Sequence, residues 1–211
     1  LFCDHFSAGE PGARYAARQL RYASLPLLTH GPNISPPKNI IDVGELNVFP
    51  IEPLKTQSIL KEQSLRIHQT GAKLRALGGD YSLIPALVSG QLEARPDDCL
   101  KIIRISRNLD AAEISNPQKK PLSHSCATRQ LSEYCGGPKS ITLLWVSDSS
   151  TLEEFEYLAD IFVRSAQQLS ASLSGLTEQI LDVSSDKNVS FYLSVDIDVL
   201  ALPSIRSNSP Y

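Results

Sequence analysis

The sequence predicts an α/β protein, three-layer α-β-α, with a mostly parallel central sheet. Three observations carry this: apolar strand-type runs at Leu100–Ile105 (LKIIRI), Ser140–Val146 (SITLLWV) and Phe191–Pro203 (FYLSVDIDVLALP); helical stretches alternating with them; and polar segments directly after strand-type runs. With 211 residues and 42% hydrophobic content the chain can bury a sizeable core, and it reads as one domain over residues 1–211.

Taken in order, Gly12–Tyr22 (GARYAARQLRY) has helical composition after the turn Gly9-Glu10-Pro11. A proline-rich connector runs from Leu25 to Pro37, and Asn39–Val43 (NIIDV) is a short strand-type run ending at Gly44. After the Pro50–Pro53 break, Ile59, Leu60, Gln63, Leu65 and Ile67 suit a helix that Gly71 ends. Ala72–Leu77 is a further strand candidate, leading into Gly78-Gly79. Ser82–Leu92 opens a helix with Ser82 as its cap and Pro85 in the first turn, where a missing N–H does little harm. Ile114–Leu122 is a polar, proline-containing loop. Thr151 and Glu154 form a capping box, and Leu152, Phe155, Leu158, Phe162, Ala166, Leu169 and Leu173 recur at three- and four-residue steps as one apolar stripe facing the core.

Bulk properties exclude several function classes. The net charge of -3, from 20 basic and 23 acidic residues without long runs, offers no field for nucleic acid or an anionic membrane. There is no apolar run long enough to span a bilayer, and the polar start does not look like a signal peptide, so a soluble, intracellular protein is expected. Cys3, Cys99, Cys126 and Cys135 are scattered, with neither zinc-ligand nor disulfide-scaffold spacing, which fits a reducing compartment. The chain lacks Met, so its natural start is expected upstream; a removed mitochondrial presequence fits, giving the mitochondrial matrix or the cytoplasm. No G-x-G-x-x-G or Walker A sequence supports a nucleotide reading.

The chemistry gathers where an α/β sheet places it, after the strands. Phe191–Pro203 reads as a strand delivering Asp196 and Asp198 to one face at its carboxyl end. Two such carboxylates repel unless a cation lies between them, and Mn²⁺ or Mg²⁺ is the usual one. A strand running into a polar loop is the plainer reading, and these residues alone leave both open.

Taken together, GGDYS at Gly78–Ser82, SRNLD at Ser106–Asp110, SHS at Ser123–Ser125 and SVDIDVLALP at Ser194–Pro203 resemble the ureohydrolase motifs GGDHS, DAHxD, a His-Gly element and SxDxDxxDP, in the same order. FSAGEPGARYAARQLR and IIDVGEL resemble that family's opening segments. The ureohydrolases include arginase, agmatinase and formimidoylglutamase. The resemblance implies an arginase-like fold and a binuclear Mn²⁺ site whose shared hydroxide attacks a guanidinium carbon.

Carried over by position, the resemblance implies metal ligands at Asp110, Asp196 and Asp198. It also implies lost ligands at Tyr81 and Asn108, which stand where the family has His, and at Ser106, which stands where it has a bridging Asp. A hydroxyl or amide does not replace a carboxylate bridge or an imidazole at comparable affinity, and Tyr81 would have to ionise far below its normal pKa. Arg107 replaces the small residue of DAHxD and is a candidate substitute for the metals' charge. Ala201 and Leu202 replace Asp-Pro, and Ser125 replaces Gly. His124 corresponds to the family's proton-shuttling histidine and is expected to be vestigial. His5, His30 and His68 match no motif position, and Cys126 lacks the orienting group that a Cys/His nucleophile needs.

Family members usually continue beyond the fourth motif, so a domain incomplete at its C-terminus is expected. The leading expectation is an inactive, arginase-like pseudoenzyme without a working Mn²⁺ pair. It would serve a structural role as a homo-oligomer or as a subunit of a larger assembly, with protein partners, no nucleic acid and no membrane insertion. The alternative is an active hydrolase of guanidino or amidino C–N bonds, with Mn²⁺ or Mg²⁺ held weakly by the three aspartates and assisted by His124. A small-molecule sensor that keeps the pocket is the third reading.

Overall fold

A computed structural model describes residues 12–30, 39–49, 51–113, 123–146, 151–165, 167–168 and 188–199. Among the described residues four strands form one parallel sheet in the order β3-β2-β1-β4: β1 is Cys99–Ile105, β2 Ile141–Val146, β3 Phe162–Ser165 and β4 Val189–Val195. The strand expectations at Leu100–Ile105, Ser140–Val146 and the start of Phe191–Pro203 each correspond to a strand. The helices are α1 (Ala16–His30), α2 (Pro53–Gln69), α3 (Ile84–Ala94), α4 (Ala127–Tyr134) and α5 (Leu152–Tyr157). Among the described residues no helix is long and apolar enough to cross a membrane.

The core has two parts. Leu100 and Ile102 of β1, Ile141 and Leu143 of β2, Val88 of α3 and Leu131 of α4 meet in one buried cluster with Leu109, Ala111, Leu158 and Ile161. Leu60 of α2 packs with Leu83, Ala86 and Leu87 in the second, with Tyr192 of β4 touching both. Pairing in β1 runs from Cys99 opposite Val189 to Ile105 opposite Val195, so β1 and β4 end level with one another. The ladder continues past the strands: Asp196 N–H donates to Ile105 C=O at 2.9 Å, and Ser106 N–H to Leu144 C=O at 3.1 Å. That level finish brings the loops after β1 and β4 side by side.

Several expectations change. Asn39–Val43 is not a strand: it is irregular and exposed, Ile41 by 85%. Asp42 accepts from Gly44 N–H at 2.8 Å and pairs with Arg21 of α1 at 2.7 Å, and this local Asx chemistry outcompetes a ladder. Ala72–Leu77 is likewise irregular, with no strand partner among the described residues. Helix α2 starts earlier than its apolar periodicity indicates, at Pro53, and Gly71 (φ 79°) follows its end. Ser82 does not cap α3: it lies in the 3-10 turn Tyr81–Leu83 that leads into the helix, and Asp80 caps that turn, accepting from Ser82 N–H at 2.9 Å.

The largest change follows Thr151. Its capping box with Glu154 forms as expected, yet α5 stops at Tyr157, a 3-10 turn covers Leu158–Asp160, and Phe162 belongs to β3. Phe162 and Val163 are good strand formers, and an open edge of β2 offers them a ladder, which outweighs continuation of the helical period. The stripe is therefore not core throughout: Leu158 is buried, while Leu152 is 77% and Phe155 46% exposed. Ala166, Leu169, Leu173 and the Ile114–Leu122 loop lie outside the described residues.

Candidate functional site

Strand β1 alternates buried and partly buried positions, which puts Leu100, Ile102 and Arg104 on one inward face. Arg104 is fully buried, an unusual place for a guanidinium and one that demands partners. It finds them at once. Nη2 donates to Asp110 Oδ2 at 2.6 Å, Nη1 donates to Thr128 Oγ1 and, at 3.4 Å, to Leu109 C=O. The guanidinium lies 4.2 Å from the centroid of the Tyr81 ring, a cation–π stack. Burial pulls the Arg104 pKa down, and the Asp110 charge with Tyr81 more than offsets it, leaving it above its ordinary value.

Asp110 is brought to Arg104 by an unusual backbone. Its φ of 46° is in the left-handed region, where among the described residues it is the sole non-glycine. Thr128 N–H donates to Asp110 C=O at 2.9 Å and Ala112 N–H to Ser125 C=O at 2.9 Å, fastening this turn to the start of α4. Aspartate is among the residues that tolerate this conformation, and the fastening holds it.

The two aspartates of the Phe191–Pro203 stretch do not share a strand face. Strand β4 ends at Val195, Asp196 follows it, and Asp198 lies in the 3-10 turn Ile197–Val199. The turn joins them more tightly than a strand would: Asp198 N–H donates to Asp196 Oδ1 at 3.3 Å. Asp198 is buried and accepts from Arg107 N–H at 3.3 Å and from Asn108 Nδ2 at 3.1 Å. Burial, with the neighbouring Asp196 charge, pushes its carboxyl up to about 6. Burial also raises Asp196, against the pull of Asp198 N–H and of Arg104.

The remaining motif positions line the same space. Ser106 is buried and accepts from Asn108 N–H at 3.3 Å. Tyr81 opens the 3-10 turn Tyr81–Leu83, and its hydroxyl accepts from Ser194 Oγ at 3.4 Å. Burial drives the Tyr81 phenol upward, the opposite direction to a phenolate ligand. His124 opens the 3-10 turn His124–Cys126, which packs against the Tyr81 turn. Arg107 supplies its main-chain N–H to Asp198 and its charge draws that carboxyl down, though by less than the groups that raise it. Burial raises the Cys126 thiol, opposite to the shift an activated nucleophile needs. His68 is on α2, its Nδ1 2.8 Å from Ser64 C=O.

Sequence reasoning looked for a resident cation and picked out Arg107; the buried ion pair with Asp110 is made by Arg104, which it missed. The signal was present in LKIIRI, where an arginine holds the inward register of a buried strand. Among the described residues no group of three or more His, Cys, Asp or Glu side chains is placed to hold a metal ion.

The parallel sheet in the order β3-β2-β1-β4 with its helices is a three-layer α/β fold of the arginase type. The chain belongs to the arginase family, whose profile matches residues 2–205. Solved structures similar to it include formimidoylglutamase from Bacillus subtilis subsp. subtilis str. 168, with TM-score 0.80, 16% identity, and coverage of 99% of this chain and 68% of that one. A putative agmatinase from Clostridium difficile gives TM-score 0.75 at 20% identity, over 93% of this chain and 68% of that one. A hypothetical agmatinase from Burkholderia thailandensis gives 0.73 at 19%, over 91% and 60%. The chain thus spans between 60% and 68% of the length of these three. No curated protein matches it significantly by sequence.

Proposed function

We propose that this chain is a non-hydrolytic member of the arginase family, serving a structural role as a homo-oligomer or as a subunit of a larger protein assembly. The observation that carries the reading is the buried Arg104–Asp110 pair at 2.6 Å under the Tyr81 ring. Asp110 is a ligand position by resemblance, and here its carboxylate is committed to a guanidinium. The donor set does not fit a binuclear metal centre. Tyr81 offers a ring face and a phenol held protonated, while Ser106 and Asn108 are neutral and already engaged with each other and with Asp198.

The test combines metal content with turnover. The purified protein, dialysed against MnCl₂, is expected to retain far less than one Mn²⁺ per chain and to release no urea, ammonia or formamide from arginine, agmatine or other guanidino and amidino compounds. Stoichiometric Mn²⁺ with product release would sink the reading. Light scattering would report the assembly state.

One observation favours a second reading, an active hydrolase holding a single divalent ion on Asp110, Asp196 and Asp198 with His124 assisting. Asp196 and Asp198 are held together by the Asp198 N–H to Asp196 Oδ1 contact at 3.3 Å, and burial raises both carboxyls, a pairing that a divalent ion would relieve. On this reading Asp198→Asn would abolish turnover and lower stability in Mn²⁺; on the first it has no turnover to abolish and raises stability by removing a buried charge.

A further inference from the structure

We propose that the Arg104 side chain is the resident cation of this carboxylate site: it fills a receptor built for a planar guanidinium, and that filling keeps divalent ions out. The inference rests on the non-hydrolytic reading and adds the residue that enforces it.

The surroundings of Arg104 are shaped for a flat cation. Asp110 Oδ2, Thr128 Oγ1 and Leu109 C=O all accept from its terminal nitrogens, and the Tyr81 ring stacks over the group. A ring face attracts a cation without offering a lone pair, so it suits a guanidinium and leaves a metal ion one ligand short. Thr128 is itself oriented, donating to Leu109 C=O at 2.6 Å, and the Asp110 turn is fastened to α4, so the receptor is held from outside the arginine. Nε of Arg104 is buried without a hydrogen-bond partner. The fit is therefore made at the terminal nitrogens, and a free guanidinium reproduces it.

The cation acts on more than one carboxylate. Its charge reaches Asp196 as well as Asp110, whereas Asp198 accepts from Asn108 Nδ2 and the Arg107 N–H and feels the Arg107 charge instead. Removing the guanidinium would leave Asp110 buried and Asp196 half-buried without that countercharge, a state that recruits a cation of suitable size.

The experiment compares wild type with Arg104→Ala by thermal shift, and by electron paramagnetic resonance of added MnCl₂. Wild type is expected to keep its Tm in millimolar MnCl₂ or methylguanidinium chloride and to leave the aqueous Mn²⁺ signal intact. Arg104→Ala is expected to melt well below wild type. Methylguanidinium or MnCl₂ should restore part of the loss, where KCl at equal ionic strength and urea do not. Its Mn²⁺ affinity should exceed that of wild type by about tenfold or more.

If the variant does not fold alone, it is refolded from denaturant in the same solutions, and recovery of folded protein with methylguanidinium or MnCl₂ replaces the Tm reading. An Arg104→Ala protein as stable as wild type, or one that neither cation restores or refolds, overturns the proposal. So does saturable Mn²⁺ binding by wild type. Any of these three outcomes without product release leaves the non-hydrolytic reading standing; product release by wild type ends that reading.

Discussion

Asp198 shows how one residue separates the two readings of the site. Its folded-state pKa of about 6 is above the ordinary 3.8 because burial and Asp196 disfavour its charged form. A raised carboxyl pKa contributes stability that is fully present below the unfolded value and is lost as pH rises through the folded one. The loss therefore runs from about pH 4 to just above 6 and is complete at neutrality. Asp198→Asn keeps an acceptor for the Arg107 N–H and removes the buried charge. It is expected to match wild type near pH 4 and to exceed it by about 1–3 kcal/mol at pH 7.5, from the 1.4 kcal/mol that accompanies each pKa unit. Urea unfolding at both pH values measures this, and an Asn variant less stable than wild type at pH 7.5 would contradict it. At this scale the sequence was legible in part. The motif order located Tyr81, Ser106, Asn108, Asp110, Asp196 and Asp198, and the structure brings them to one region. Arg104 was hidden because motif reasoning looks after the strand, while the countercharge comes from within it.

At the scale of elements, helix packing rests on one small residue. Gly90 of α3 lies against α2, and a Cβ there would overlap Lys61 C=O, approach Ser64 Cβ to 2.6 Å and Leu65 N to 2.8 Å. Two of these atoms are backbone and cannot swing aside. Beside them Ser64 Oγ donates to Leu87 C=O at 2.6 Å, a buried clasp that needs the close approach. Gly90→Ala would gain up to about 1 kcal/mol of helix propensity. Overpacking opposes this at about 1–3 kcal/mol or more, because the second core cluster must move apart. Net destabilisation with a lower Tm is expected; a Tm increase would show that α2 and α3 can separate freely. The elements that sequence misjudged share one cause. NIIDV, Ala72–Leu77 and the stripe after Thr151 each had a plausible local pattern, and the sheet decided otherwise: two runs have no neighbouring strand among the described residues, while Phe162 does. Local periodicity carries no information about which strand edges are open.

Across the whole molecule, stability is distributed unevenly, and the sheet order shows how. Strand β1 pairs on both sides, its inward residues Leu100, Ile102 and Arg104 are buried, and its end is tied into the site through Ser106 and Asp196. Opening it would expose the main core and an unpaired buried guanidinium together, which makes it inseparable from global unfolding. Helix α1 is attached very differently. Of its residues whose side chains are described, Ala17 alone is buried, Leu20, Tyr22 and Leu25 are exposed, and Arg21 reaches the 39–49 segment through solvent-facing ion pairs. Such pairs add little, and salt screens them. Native-state hydrogen exchange is therefore expected to find Ile102, Ile103 and Arg104 amides exchanging only with global unfolding, their free energies falling steeply with denaturant. Amides of α1 should exchange through local opening, with protection at least about a hundredfold lower and little denaturant dependence. Added salt should lower α1 protection further while leaving β1 unchanged, since only the first attachment is exposed charge. Equal protection in α1 and β1 would mean that α1 is held by contacts beyond Ala17 and the Arg21 pairs.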